Sequence, residues 1–321
     1  MKLNRRHLTA AMAALLLGTA GLTGPAKAQE DYPTKPITML VGYNAGGQTD
    51  LVARAAAQVL SAELGQPINV VNRPGAGGAV AARQLTQARS DGYTMLFHAN
   101  SVVNAAPFLM KRINLTPDDF EWAGFITAYQ ISLAAPANAP YDDLAEFIAW
   151  GKENPGFSVA NLSPTARMIM SEIAKKEGLE VNYVPVKSGG DMVNTLLGNQ
   201  VAAAYSGGIH VKYPDQIKTL VTLTTYAQPS WPDVKSIVDY GYPLAMDQRA
   251  GIMLPQGTPQ EIVQKISDAL AKAETDETFL KVTGSADIPV MYMDADEARA
   301  EMERTYQSNG ELFRSAGVEP Q

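Results

Sequence analysis

Short apolar runs alternate with helical patterns through the first hundred residues, and this alternation constrains the fold most. "ITMLVGY", from Ile37, reads as a buried strand. Residues 50–64 read as a helix, because Leu51, Ala55 and Val59 fall with Val52, Ala56 and Leu60 on one apolar face. "INVVN" is a second strand, "RPGAGG" (residues 73–78) a turn, and "AVAARQLTQA" a helix. Asp91-Gly92 marks another turn before the strand "YTMLF". A βαβαβ order builds a parallel, doubly wound sheet, and such sheets bind ligands outside the carboxyl ends of their strands. Residues 43–50 and the stretch from His98 to Asn104, Ser101 included, are therefore candidate walls of a site.

The same grammar returns downstream. "NPGFSVAN" leads a strand into the helical "SPTARMIMSEIAKKEG", where Ser163 suits an N-cap and Pro164 the first helical position. "VNYVPV", "QVAAAY" and "IKTLVTLTT" read as strands, with "KSGGD" and "SGG" as loops. "DMVNTLLG" reads as a helix ended by Gly198. "AGIMLP" is a late strand, and "TPQE", Thr258 to Glu261, reads as a capping box ahead of an amphipathic helix. A last helix runs from "DADE" to about Arg314. Two α/β units result, residues 29–130 with 250–321 and residues 131–249. Crossing strands near 125–135 and 246–254 join them, with no low-complexity tether.

The N-terminus points to export. Lys2, Arg5 and Arg6 precede an apolar run from Leu8 to Leu22, and Ala26-Lys27-Ala28 fits the small-x-small cleavage rule. A signal peptide of residues 1–28 is expected, cut before Gln29, which places the mature chain in the periplasm. The run is short of the ~20 residues a spanning helix needs, so no membrane insertion is expected. Arg5-Arg6 leaves the general and the twin-arginine routes open. The chain has no Cys, so its core must hold it without disulfides.

The whole chain has 26 Lys and Arg against 33 Asp and Glu; losing Lys2, Arg5, Arg6 and Lys27 with the leader leaves 22 against 33, a net charge of −11. That balance argues against nucleic acid and anionic membrane surfaces as partners. An anionic ligand would have to be held by local dipoles and a few placed cations.

"LVGYNAGGQTDLVAR", residues 40–54, is such a place: a strand, two glycines, a polar trio and a helix start. Free N–H groups at a helix N-terminus form an anion site. Gly42, Gly47 and Thr49 match three points of the phosphate loop G-x-x-x-x-G-K-[ST], but Gln48 stands where its Lys is required. A nucleoside triphosphate is therefore not expected. A carboxylate needs only amides and a hydroxyl; a ligand-free turn is the other reading. His98 is either a donor to that anion or a histidine bonded within the fold.

An enzyme needs a nucleophile or base with partners. There is no G-x-S-x-G, no Cys and no H-E-x-x-H, and only His98 and His210 survive removal of the leader. Asp118-Asp119 and Asp142-Asp143 precede helical stretches and suit caps. No cofactor is called for, and a hydrolytic enzyme is the minor alternative.

"YPTKPITMLV", "NRPGAGG", "SDGYTML" and "GIMLPQGTP" occur in that order. Together they resemble the Bug family of periplasmic solute receptors, partners of tripartite tricarboxylate transporters, across essentially the whole mature chain. The resemblance implies a two-domain periplasmic-binding-protein clamshell (type II-like) and a carboxylate ligand, a di- or tricarboxylate, aliphatic or aromatic. It also implies permease subunits as partners and a monomer; a receptor serving a sensor kinase is the alternative. By resemblance, Gly46, Gly47, Gln48, Thr49 and Asp50 supply amides and the Thr49 hydroxyl, and "NLSPTAR", with Ser163, Thr165 and Arg167, grips another part of the ligand. The family often has prolines before the paired glycines; Tyr43 and Asn44 stand there and become candidate contacts. Val186 replaces the usual Tyr of the V-P-Y-K-G stretch. Arg167, a cation in a first helical turn, opposes the helix dipole. Either a bound carboxylate offsets that cost or the side chain is a solvated arginine. Ser188, Ser206 and Gly207 stand at other strand ends of the second unit.

Overall fold

Eleven strands and ten α-helices among the described residues form two sheets with helices on their faces. The computed structural model describes residues 32–161, 164–186, 189–226, 228, 230–242, 245–315 and 317. The expected leader, Ser163 and Ser188 lie outside the described residues. The chain begins with β1 (Ile37–Val41), α1 (Gln48–Leu64), β2 (Ile68–Asn72), α2 (Ala79–Thr86), β3 (Thr94–Ala99), α3 (Ser101–Asn104), α4 (Ala106–Leu109) and β4 (Phe120–Ala128). It crosses to β5 (Ser132–Pro136), α5 (Leu144–Glu153), β6 (Phe157–Asn161), α6 (Pro164–Glu177), β7 (Val181–Pro185), α7 (Gly189–Leu197), β8 (Ala203–Ser206) and β9 (Ile217–Thr222). It returns through β10 (Arg249–Pro255), α8 (Gln260–Ala271), α9 (Glu277–Ser285), β11 (Val290–Met293) and α10 (Ala295–Ser315).

The larger sheet has the order β11-β4-β10-β3-β1-β2 and the smaller β7-β6-β8-β5-β9. The parallel cores expected from the βαβ alternation are β2-β1-β3 and β7-β6-β8. The rest of each sheet is antiparallel, so the sheets are mixed where mainly parallel ones were expected. The crossings cause this. β3 and β4 run toward the junction between the sheets, whereas β10 enters its sheet from that junction and must run against both. β5 enters the second sheet the same way and opposes β8.

Both faces of the larger sheet are buried. Met39, Phe97 and Ile252 face α1, α8 and α9, while Leu40, Leu96 and Met253 face α2 and α10. Burial on two faces explains why these strands read as continuous apolar runs. Helix α1 turns Val52, Ala56, Val59 and Leu60 inward and ends at Gly65, in the left-handed region at φ 68°. Leu51, expected on that face, is 39% exposed, because a stripe centred on Val52 and Ala56 leaves it to one side.

The acidic pairs act as caps: Asp143 accepts from the Glu146 N–H at 2.9 Å and Asp119 from the Thr116 N–H at 2.7 Å. The capping box expected at Thr258 does not form. Its hydroxyl donates back to the Pro255 carbonyl at 2.7 Å, and α8 begins at Gln260 after an extended Pro259. One small apolar cluster bridges the two units: Met168 of α6 packs with Ala105 and with Phe313 of α10.

Candidate functional site

β1 delivers the chain to a loop that α1 closes. Gly47 is the N-cap, and its carbonyl accepts the first helical bond, from Leu51 N–H at 2.9 Å. The loop is pinned from beneath by Asp50, which is 3% exposed. Asp50 accepts from the Gly46 N–H at 2.8 Å, from Arg54 Nε at 3.0 Å and from Asn72 Nδ2 at 2.9 Å. Asn72, at the end of β2, also donates to the Tyr43 carbonyl at 3.0 Å. Burial pushes the Asp50 carboxyl up, but bonds from Arg54, Gly46 and Asn72 outweigh it and hold it below its ordinary value. Gly46 and Asp50, expected to meet the ligand, bond each other through the Gly46 N–H and the Asp50 carboxylate and so frame the loop. Without partners inside the helix remain the first-turn amides of Gln48 and Thr49.

His98 is part of that frame as well, bonded within the fold. It is fully buried, and its Nε2 lies 3.1 Å from the Gly77 carbonyl. A carbonyl only accepts, so Nε2 carries the proton and Nδ1 is bare, without a hydrogen-bond partner among the described residues. Burial holds this imidazole down to about 4. A Cβ on Gly78, whose φ is 99°, would collide with the ring, and one on Gly42 would come within 2.9 Å of it. The glycines of "RPGAGG" and Gly42 thus let two loops close over His98. Tyr43 tilts against the same ring, centroids 4.4 Å apart. No hydrogen bond fixes the Asn44 side chain in the described residues.

Across the loop stands Tyr129, from the segment that joins β4 to β5. Its phenol oxygen lies 2.6 Å from Thr49 Oγ1, and Thr49 is 4% exposed. Burial pushes the Tyr129 phenol well above its ordinary range. Tyr205 of β8 is raised by burial too, and Tyr43 and Tyr129 are near enough to raise it further. Phenols from the loop, the crossing and the second sheet are therefore near enough to influence one another, and that of Tyr129 reaches Thr49. Tyr129 and Tyr205 escaped the sequence reading, since neither lies in a recognisable motif; only the crossing expected near 125–135 pointed to Tyr129.

The second-unit candidates divide. Ser206 is fully buried, and its hydroxyl is held by His210 Nδ1 at 2.7 Å and by the Gly208 N–H at 3.1 Å. His210 Nε2 lies 2.8 Å from Thr219 Oγ1, its ring stacks on Trp231 at 4.7 Å, and burial holds it down to about 4. Among the described residues this Ser–His contact has no carboxylate behind it, and Ser206 sits in the interior of its unit. A Cβ on Gly207 would meet nothing within 4 Å, which leaves that turn open to a neighbour. Arg167 is exposed, with its guanidinium 5.3 Å from the centre of the Tyr183 ring in its own unit. That placement fits a surface arginine better than a clamp. The side chain of Thr165 lies outside the described residues, as do Ser163 and Ser188. Ser101 lines a separate cavity of about 90 Å³ beside Asn104, Asp247 and Arg304.

The returning crossing is fastened to α10 by charge. Asp247 accepts from the Thr225 N–H and hydroxyl at 2.8 and 2.6 Å and from Arg304 at 3.0 Å. Arg304 also grips Glu301, and the buried Arg249 stacks on Tyr226 at 4.6 Å. Among the described residues no group of three acidic, His or Cys side chains is placed to hold a metal ion. None of the described helices is long and apolar enough to cross a membrane.

Comparison with known proteins sets this geometry in context. A profile of the family described as "Tripartite tricarboxylate transporter family receptor" matches residues 52–318. A protein of Cupriavidus necator described as "UPF0065 protein in gbd 5'region" is 32% identical over 307 residues, which covers 92% of each chain. The solved structure of a TctC solute binding protein from Polaromonas superposes with a TM-score of 0.78 at 25% identity, covering 88% of this chain and 99% of that one. The periplasmic binding protein BugD superposes at 0.70 with 26% identity, over 90% and 100% of the two chains. The two sheets described above are the two-domain periplasmic-binding-protein fold of these structures.

Proposed function

The chain belongs to the tripartite tricarboxylate transporter receptor family, and from that premise we propose that it captures a small carboxylate between its two units and delivers it to the permease of such a transporter. The observation that carries this reading is the loop 43–50. Its frame is held by its own hydrogen bonds, and it sets the first-turn amides of α1, with the Thr49 hydroxyl paired to Tyr129, at the carboxyl end of β1. Those are the donors a carboxylate oxygen accepts from, and the helix dipole adds to them. The N-terminus of α6 follows β6 as that of α1 follows β1, and we assign it the ligand's second acid group. The ligand class is thus a di- or tricarboxylate with an aliphatic or aromatic body.

Residues 29–130 with 250–321 form one closing body and residues 131–249 the other. The protein acts in the periplasm after loss of residues 1–28, as a monomer and without a cofactor. It binds and releases its cargo unchanged: the two described histidines are buried within the fold and poised for no proton transfer.

A thermal-shift screen of mono-, di- and tricarboxylates tests the reading. An acid at 100 times its Kd stabilises the folded state by about 2.7 kcal/mol. Mass spectrometry should recover that acid intact. A screen in which sugars or amines shift the melting temperature and no acid does would refute the carboxylate assignment; a converted product would refute binding without chemistry.

A further inference from the structure

Tyr129 stands where the anion loop meets the crossing between the sheets. Its ring packs against the cores of both. Its N–H donates to the Gln248 carbonyl at 2.8 Å, and its own carbonyl accepts from Gln228 Nε2 at 3.2 Å, so the returning crossing and the second unit both hold it. Its hydroxyl lies 2.6 Å from Thr49 Oγ1, and either oxygen could donate by geometry alone.

What each group has left decides the direction. Among the described residues the Tyr129 hydroxyl has Thr49 as its hydrogen-bonding neighbour. Were Thr49 the donor, the phenol proton would be stranded in a largely buried place, which is costly. A phenol is also a stronger acid than an aliphatic alcohol and so the better donor. With Tyr129 donating, the proton of Thr49 turns away from it, toward the unpartnered amides of Gln48 and Thr49. A hydroxyl that accepts one bond is polarised to donate the next more strongly.

We propose that Tyr129 is a positioning residue for the anion site: it donates to Thr49 Oγ1, aims the Thr49 hydrogen at a bound carboxylate, and ties the loop to the segment on which the two sheets join. The proposal rests on the reading of loop 43–50 as a carboxylate site.

A double-mutant cycle read by isothermal titration tests it, with malate, adipate, citrate and benzoate as probes against the mature protein. Thr49→Ala should weaken the best-bound probe by about tenfold, and Tyr129→Phe, which keeps the ring, by about fivefold. The double variant should bind within about twofold of Thr49→Ala, because the phenol acts only through that hydroxyl. Multiplying losses, or an unchanged affinity in Tyr129→Phe, would overturn the proposal. Should Tyr129→Phe fail to fold, 3-fluorotyrosine at position 129 is the second test. It sharpens the donor without removing it, so affinity should rise; a fall or no change overturns the proposal. If none of the four acids binds the unaltered protein, or if Thr49→Ala binds as tightly as it does, the underlying site reading fails and this inference with it.

Discussion

Acid should unfold this protein at a pH set by two histidines. His98 and His210, the histidines among the described residues, are 0% and 1% exposed. Burial holds each imidazole down to about 4, from an ordinary value of 6.5. The unfolded chain therefore binds two protons, near pH 6.5, that the folded chain refuses until about pH 4. A depressed folded value means stability that is complete above pH 6.5 and is lost as pH falls toward the folded value. The difference of roughly 2.5 pH units costs about 3 kcal/mol for each ring at pH 4, or about 6 kcal/mol for both. Total stabilities of about 5–15 kcal/mol leave little margin for that loss. Urea unfolding at half-unit intervals should show stability falling by about 2–3 kcal/mol per pH unit between pH 6 and pH 4. In parallel, the two imidazole signals in NMR of the folded state should not titrate above pH 5. An imidazole titrating near 6.5 in the folded protein, or a stability flat to pH 4.5, would refute the reasoning.

Three further outcomes follow from the loops. Asp50→Ala strands the Gly46 N–H and the Asn72 amide and should cost about 2–4 kcal/mol by denaturant unfolding, with loss of carboxylate affinity; Asp50→Asn, which keeps the shape, should cost less. Gly78→Ala drives a methyl into the His98 ring at a left-handed φ, so it should lower the melting temperature steeply or prevent soluble expression, whereas Gly207→Ala, which meets nothing, should melt like the natural protein. Arg167→Ala should change carboxylate affinity less than Thr49→Ala does in titration, and should cost at most about 1 kcal/mol of stability through its lost contact with Tyr183.

Much of the larger sheet was legible because its strands and helices carry single-purpose patterns. β1, β2 and β3 are short and apolar, and α1 has a clean helical stripe, so local chemistry and tertiary role agree there. The mixed sheets were not legible, because strand direction follows from the end at which the chain enters a sheet, and entry is fixed by a connection between units. The Thr258 box failed for a related reason: the sequence fits a cap, but the Pro255 carbonyl competes for the same hydroxyl. At the site, Thr49 and its glycines were visible as a helix start after a strand. That Asp50 and His98 build the loop's frame depends on Asn72 and Gly77, which only the fold brings near. Tyr129 and Tyr205 lie 80 and more residues from the loop, in runs whose pattern says only that they are buried.

The placement of β10 also has a consequence for how the chain acquires its structure. Arg249 pairs with Ala128, so 120 residues of intervening chain begin and end on one rung of the ladder between β10 and β4. β10 is also the strand between β3 and β4, and until it arrives the larger sheet is two separate pieces with open edges. The smaller sheet uses only strands from residues 132–222 and needs nothing from outside that stretch to pair its strands. As the chain emerges from its N-terminus, the inserted unit can therefore close first, drawing the ends of β4 and β10 together. Joining them then costs little loop entropy, and the first-made strands are the last to be locked.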